Sequence, residues 1–350
     1  MSLGWFRPLA IHPQIKDSHH VTFSPVLNDP VIDQVMAQYP IPYPQYERFT
    51  EMWGDHWRAK ITSGDGRTFL LKERPRHIRV DDWQFHHYVQ PTQAPSPIIP
   101  ALHQTRDGAT FVRHQDRYFE IMDWLPGQAR GLVTDQDLLD AAHTLADLHN
   151  WMHIQPVPSV APKHTATTND LDTWSDKFLN DKLAGPEVPA FVDRTYELIS
   201  QLPDFDRIAV HGDFHPYNLL WQDGRISGIC DWEDAHLNSP YFDLAYFLTH
   251  ATLIDWPERK PVEPEASVRH PVDRRLHKRV ISAYRQRLRR PLPADSVGLK
   301  HALITCWLIT VRLTVFRYVV DTNEMAPARA VLEWLADDEN LHPWTQILSG

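Results

Sequence analysis

Three oxygen-bearing side chains follow short apolar runs in the middle of the chain. Asp213 and Asn218 lie in a polar loop after the apolar residues 208–210, and Asp231 ends a later run that follows an Asp-Gly turn at 223–224. An Asp-Gly pair between two such runs predicts a β-hairpin. Phosphoryl transfer needs a carboxylate that positions the attacking hydroxyl, and an amide and a second carboxylate that hold Mg²⁺. The spacing suits Asp213, Asn218 and Asp231 for those roles, in that order.

The histidines of the same loop leave a second chemistry open. His211, Asp213 and His215 alternate along the chain, and such side chains can converge on zinc. The chain has 21 histidines, so this spacing arises easily by chance, and no further His or Cys pair with suitable spacing follows. A hydrolytic zinc site would also leave Asn218 and Asp231 unexplained. We therefore favour phosphoryl transfer, with His211 bracing the loop and His215 near the mouth of the pocket.

A longer pattern surrounds these residues. It runs His-Gly-Asp at 211–213, Asn218, Asp-Trp-Glu at 231–233 and Asp-Leu-Ala at 243–245. The pattern resembles the catalytic core of the aminoglycoside phosphotransferase family, which shares the protein-kinase-like fold with choline kinases and bacterial homoserine kinases. One departure is Cys230, where the family usually has isoleucine, but both side chains suit a buried strand. The resemblance implies an α+β, two-lobed protein-kinase-like fold with a small β-rich N-lobe and a larger helical C-lobe.

The resemblance also implies roles for residues outside the loop. Lys72 matches the lysine that contacts the α- and β-phosphates. The backbone of Asp123 and Leu125 matches the interlobe linker groups that hydrogen-bond adenine, and Met122 would pack against the ring. Asp243 matches the aspartate that accepts backbone N–H groups of the catalytic loop. ATP would then sit in the cleft between the lobes.

One expected residue is missing from this pattern. In kinase folds the phosphate-binding lysine pairs with a glutamate of the following helix, yet the corresponding residues 80–90 contain no glutamate. Asp81 and Asp82 are the carboxylates of this segment, and we expect Asp82 to pair with Lys72 although its side chain is shorter by one methylene. The other candidates by spacing are Gln84 and His86. Because this glutamate is missing, a pseudokinase or a structural scaffold of the same fold stays open as an alternative.

Hydrophobic patterning predicts the elements that position these residues. We expect an N-terminal extension over 1–45 with a short helix at 29–38, an N-lobe carrying the nucleotide-binding sheet and linker over 46–125, and a helical C-lobe with the catalytic loop over 126–350. Apolar residues recur at helical intervals over 135–152, where Thr134 can cap the helix and His149 falls on the apolar stripe. Predicted strands lie at 46–53, 57–62, 68–72, 110–113 and 117–122, and further predicted helices at 171–183, 188–202, 243–253, 272–290, 296–320 and 327–336.

Composition narrows the possible partners of this 350-residue chain. Its net charge of −10 argues against a general nucleic-acid binder. The two cysteines, Cys230 and Cys306, lie in apolar runs, so we expect a reducing cytoplasm rather than a disulfide framework. The apolar segment 302–320 contains Arg312 and Arg317, which makes a buried helix a better interpretation than a membrane span.

The expected function is ATP-dependent transfer of the γ-phosphate to a hydroxyl group, with ATP and Mg²⁺ as cofactors. The acceptor would be a small molecule such as an amino alcohol, a sugar or an aminoglycoside, although a peptide hydroxyl also stays open, as does the oligomeric state. The segment 272–290 is rich in Arg and Lys. Internal ion pairs or a solvated face explain such a helix more simply than an anionic partner.

Overall fold

The computed structural model describes residues 22–25, 30–42, 44–50, 58–74, 85–87, 89, 96–130, 134–155, 208–255, 260–261 and 274–289. Its contacts divide these residues into two compact units. The first unit lies within residues 12–129 and 219–233, and the second lies within 130–218 and 234–350. The segment 219–233 therefore groups with the first unit, whereas the sequence-based division assigned it to the C-lobe.

An antiparallel sheet of six strands forms most of the first unit, in the order β1-β2-β3-β4-β6-β5. Its register sets Lys72 of β4 opposite Arg58 of β3 on one side and Glu120 of β6 on the other. Directly opposed residues of an antiparallel sheet share a face, so these three charged side chains form one row. The strands are β1 (Thr22–Pro25), β2 (Gln45–Thr50), β3 (Arg58–Thr62), β4 (Thr68–Glu73), β5 (Val112–His114) and β6 (Arg117–Asp123).

The opposite face of the sheet is covered by the core of this unit. Phe69 and Leu71 of β4 alternate with Lys72 and are buried there. Helix α1 (Pro30–Met36) contributes Ile32 and Val35 to the same cluster. The predicted short helix is thus confirmed, and part of the predicted N-terminal extension belongs to a hydrophobic core. The strands predicted before and after the 63–66 turn are also confirmed.

The Asp-Gly turn forms the expected hairpin in the first unit. Strands β9 (Leu219–Gln222) and β10 (Arg225–Ile229) pair antiparallel, and both turn residues adopt positive φ, 51° and 74°. Two consecutive positive φ angles define the turn that best matches strand twist. Strand β7 (Gln128–Ala129) pairs with β9, which explains why the hairpin groups with the first unit.

Helices dominate the second unit. Helix α2 spans Asp135–Met152, as predicted, and Thr134 and Asp137 cap its start with a reciprocal pair of side-chain to backbone hydrogen bonds. The remaining elements of this unit are β8 (Ile208–Val210), a 3₁₀ turn (Pro216–Asn218), β11 (His236–Asn238), α3 (Pro240–Leu253), β12 (Ile254–Asp255), β13 (Lys260–Pro261) and α4 (Arg274–Arg287).

The basic helix α4 forms ion pairs with α2. Arg279 lies 2.7 Å from Asp135, and Arg287 lies 2.9 Å from Asp147. These contacts support internal ion pairing over an anionic partner for these two arginines. The predicted helices at 171–183, 188–202, 296–320 and 327–336 lie outside the described residues. Within the part of the chain that is described, none of the helices has the length and apolar character needed to cross a bilayer.

Candidate active site

The loop after β8 is fixed at its start by Asp243. This buried carboxylate, in the first turn of α3, accepts the backbone N–H of His211 at 2.7 Å and that of Gly212 at 2.8 Å. Gly212 has a φ of 82°, and a Cβ there would lie 2.0 Å from the carbonyl oxygen of Asp234. Glycine is therefore required at this position. These bonds hold the two residues that precede Asp213.

A buried histidine connects Asp243 to helix α4. His149 Nε2 lies 3.1 Å from Asp243 Oδ2, and its Nδ1 lies 2.6 Å from the hydroxyl oxygen of Tyr284. Burial alone would raise the pKa of Asp243, but the hydrogen bond and charge of His149 outweigh it and lower that pKa. His149 is thus a structural, hydrogen-bonded histidine, as its place on an apolar stripe predicted. Tyr284, 135 positions away, was not foreseen.

Asn218 holds the side chain of Asp213 in place. Its Nδ2 donates to Asp213 Oδ2 and to the Asp213 carbonyl oxygen, both at 2.9 Å. His215 Nε2 lies 3.3 Å from the same carboxylate, whose side chain is 19% exposed. The carboxylate is therefore oriented and still reachable by a small molecule. Because the amide nitrogen of Asn218 faces Asp213, its amide oxygen points away and can bind another group.

The alternating histidines do not assemble a metal cluster. His211 is fully buried, and its Nδ1 accepts the backbone N–H of Asp213 at 3.3 Å. Among the described residues, no group of three or more His, Cys, Asp or Glu side chains could hold a metal ion. The zinc interpretation therefore gains no support. The roles of Asn218 and Asp231 as Mg²⁺ ligands stay predictions, based on the preference of Mg²⁺ for oxygen ligands.

Lys72 contacts two carboxylates of the Asp-Trp-Glu segment within the first unit. Its Nζ lies 2.8 Å from Asp231 Oδ1 and forms a second ion pair with Glu233. The lysine side chain is buried, whereas that of Asp231 is 39% exposed. Burial would raise the pKa of Asp231, but the charges of Lys72 and Arg58 hold it well below its usual range. Asp82, the partner expected from the sequence, lies outside the described residues.

Asp231 adopts a left-handed backbone conformation. Its φ is 59°, which is uncommon for a residue other than glycine. Strain of this kind persists where surrounding contacts over-determine the conformation, and the ion pair with Lys72 is one such contact. Positive φ at a carboxylate in this position could not be foreseen from the spacing of the motif.

A second buried charge cluster lies beside Lys72 on the same sheet face. Arg74, 2% exposed, pairs with the fully buried Glu120 at 2.8 Å. Glu120 also contacts His87 Nε2 at 2.6 Å. Burial alone would raise the pKa of Glu120, but Arg74 and the hydrogen bond from His87 bring it down to about 2. Neither Arg74 nor Glu120 was selected by sequence reasoning, because their meeting depends on strand register.

The predicted adenine-binding segment follows the sheet at the end of β6. Met122 is buried, and the backbone N–H of Asp123 already donates to the Ala101 carbonyl oxygen at 3.0 Å. The Asp123 carbonyl is therefore the better candidate for an adenine amino group. Leu125 packs against Gly228, where an added Cβ would lie 2.8 Å from Leu125 Cδ1. The roles of these linker residues stay predictions.

Comparison with known proteins assigns the chain to a family. The sequence model of the phosphotransferase enzyme family matches residues 51–286, which is more than half of the chain. The chain belongs to the phosphotransferase enzyme family. The matched range includes Lys72, the loop at 211–218 and the Asp-Trp-Glu segment. A search of curated proteins finds no match to this phosphotransferase-family chain.

The solved structures of similar fold that are named here are distant in sequence. The amicoumacin kinase hAmiN, in complex with AMP-PNP, Ca²⁺ and Ami, is 13% identical with a TM-score of 0.62, over 91% of this chain and 92% of that one. A microcompartment-associated aminopropanol kinase is 14% identical with a TM-score of 0.63, over 91% and 98%. Choline kinase from Cryptosporidium parvum Iowa II is 16% identical with a TM-score of 0.58, over 88% and 94%. These likenesses confirm the predicted α+β, protein-kinase-like fold.

Proposed function

We propose that this phosphotransferase-family protein transfers the γ-phosphoryl group of ATP to a hydroxyl group of a small molecule. The observation that carries the proposal is the arrangement of the loop at 211–218. Asp243 fixes the loop backbone, and Asn218 orients the partly exposed carboxylate of Asp213. A general base must be oriented and still able to reach its substrate.

Asp213 positions the acceptor hydroxyl in this mechanism and takes its proton as the oxygen bonds to phosphorus. The bond between the γ-phosphorus and the β–γ bridging oxygen breaks, and ADP leaves. Lys72 would steady the α- and β-phosphates, and Asn218 and Asp231 would hold Mg²⁺. When bound, Mg²⁺ neutralises charge on the phosphates. Most of the rate gain in such a reaction comes from positioning and charge stabilisation.

The acceptor we propose is an amino alcohol, a sugar or an aminoglycoside-like compound. The named kinases of similar fold support this choice, since their names include amicoumacin, aminopropanol and choline. The chain's net charge of −10 is compatible with an amine-bearing substrate. A screen of such alcohols for acceptor-dependent ADP release tests the class, and phosphorylation of none of them would contradict it.

Substitution of Asp213 tests the proposed chemistry. Asp213→Asn should lower the rate of ATP turnover by about 10²-fold or more, because the base is lost while the shape is kept. Asp223→Asn is a matched control, since Asp223 lies exposed in the hairpin turn and asparagine tolerates its positive φ. Equal turnover in Asp213→Asn and wild type would reject the mechanism.

A catalytically silent member of the family is the second candidate function. It is favoured by the absence of a glutamate within residues 80–90. A pseudokinase would show a thermal shift with ATP and Mg²⁺ but no ADP release, alone or with any acceptor. Turnover that depends on Asp213 would exclude this candidate.

A further inference from the structure

Lys72 lacks the partner that kinase folds normally supply. The segment that should provide a glutamate, residues 80–90, contains none. A phosphate-binding lysine without a fixed carboxylate would be free to adopt several rotamers. Fixing it in one of them when ATP binds would cost side-chain entropy. The structure nevertheless holds Lys72 buried, with its ammonium group on Asp231 and Glu233.

The two carboxylates are not equivalent. Asp231 is the proposed metal ligand, and its side chain is 39% exposed. Glu233 is the more protected of the two, with a side chain 14% exposed. A carboxylate that binds a metal ion is less able to hold a lysine. Glu233 is therefore the better candidate for a partner that stays on Lys72 throughout the reaction.

Glu233 is held on its other side by Arg74. Arg74 Nη1 lies 3.7 Å from Glu233 Oε1. Arg74 is itself fixed by the pair with Glu120 at 2.8 Å, and both side chains are almost completely buried. The charges alternate along this chain of contacts, so each ion is compensated by its neighbours, as buried ions require.

One residue of the 80–90 segment, His87, contacts this network. Its Nε2 lies 2.6 Å from Glu120 Oε2. Its Nδ1 lies 2.7 Å from the hydroxyl of Thr110, so both ring nitrogens are engaged. His87 is thus linked to Lys72 indirectly, through Glu120, Arg74 and Glu233.

We propose that Glu233 is the positioning residue for Lys72, in place of the missing helix glutamate, and that Arg74, Glu120 and His87 hold it there. This inference rests on the proposed function, since it assumes that Lys72 contacts ATP phosphates. It assigns Glu233 no contact with the reacting atoms.

The test compares Glu233→Gln, which removes the charge and keeps the shape, with Glu233→Asp, which keeps the charge. Glu73→Gln is the control, because Glu73 is a buried carboxylate that follows Lys72 on β4 but pairs with Arg117. Glu233→Gln should weaken metal-free ATP binding, measured by calorimetry, by about tenfold, which is the loss expected for one charge-assisted hydrogen bond near a ligand. It should raise KM for ATP more than it lowers kcat, and Glu233→Asp should recover part of the affinity.

A readout without nucleotide separates this inference from the proposed function. Loss of the Glu233 charge should raise the rate at which an amine-reactive probe labels Lys72 several-fold, read by mass spectrometry, while Glu73→Gln leaves that rate unchanged. A shift in the Mg²⁺ concentration at half-maximal ADP release (the Mg²⁺ midpoint), with unchanged metal-free ATP binding, would overturn the inference. Glu233 would then be a metal ligand. Unchanged binding, midpoint and labelling would also overturn it. If wild type releases no ADP but the labelling prediction holds, the proposed function fails while Glu233 still positions Lys72.

Discussion

Arg74 and Glu120 form a buried ion pair that joins the end of β4 to β6, with Nε and Oε1 2.8 Å apart. Removing one member of such a pair leaves an uncompensated buried charge. Glu120→Gln should therefore lower the free energy of unfolding by about 3–5 kcal/mol. Chemical denaturation measures this loss, with Glu47→Gln, at an exposed position of β2, as the control. If Glu120→Gln loses less unfolding free energy than the control does, the Arg74–Glu120 pair makes no net contribution to stability.

The same pair predicts how stability responds to acid. The pKa of Glu120 is lowered to about 2 in the folded protein, from an ordinary value of 4.5. A depressed carboxyl pKa contributes stability that is full above the ordinary value and is lost as the pH falls through the folded value. Wild type should therefore lose this contribution between about pH 4.5 and 2. The difference in unfolding free energy between wild type and Glu120→Gln, followed against pH, should shrink over that window and stay constant above it.

Two glycines distinguish the cost of backbone strain from the cost of a steric clash. Gly212 and Gly224 both have positive φ, 82° and 74°. A Cβ at Gly212 would lie 2.0 Å from a backbone oxygen, whereas a Cβ at Gly224 would meet nothing within 4 Å. Gly224→Ala should cost about 1–2 kcal/mol of stability, the usual strain of a left-handed alanine, and keep full turnover. Gly212→Ala should cost more and abolish turnover, as measured by thermal unfolding and ADP release.

His149 and Tyr284 should affect catalysis through Asp243 rather than through substrate. Tyr284→Phe removes the hydroxyl that contacts His149, and should cost about 1 kcal/mol of stability. His149→Gln should lower kcat because the brace on the catalytic loop is weakened, while KM for ATP changes little. His143→Gln, on the same helix, is the control. An unchanged kcat in His149→Gln, or an equal loss of kcat in the control, would contradict this role.

The proposed magnesium ligands predict a specific titration. Asn218→Ala and Asp231→Asn should each raise the Mg²⁺ concentration at half-maximal ADP release, because the first removes an oxygen ligand and the second removes the negative charge of one. Asp223→Asn should leave that concentration unchanged. Identical Mg²⁺ curves for all variants and wild type would remove both residues from the metal site.

Local spacing was enough to predict several elements of this protein. The helix over 135–152 and its Thr134 cap follow from periodicity and a single side chain, both of which act within a few residues. The hairpin at 219–229 follows from the Asp-Gly turn. The same locality placed Asp213 and Asn218 in one loop, where the structure joins them by a hydrogen bond. Their catalytic roles, and the pairing of Lys72 with Asp82, stay predictions.

The sequence by itself determined the family pattern, and the resemblance carried by that pattern implied the kinase-like fold. It also determined that Asp213 and Asn218 share one loop, because their spacing is short. Only the tertiary structure decided which charges meet. The pairing of β4 with β6 in one register brings together Arg74, Glu120 and His87. The 231–233 segment lies within the same unit and adds Glu233. A shift of one residue in that register would turn Glu120 to the opposite face. Strand register is set by packing across distant parts of the chain, and no local pattern of residues encodes it.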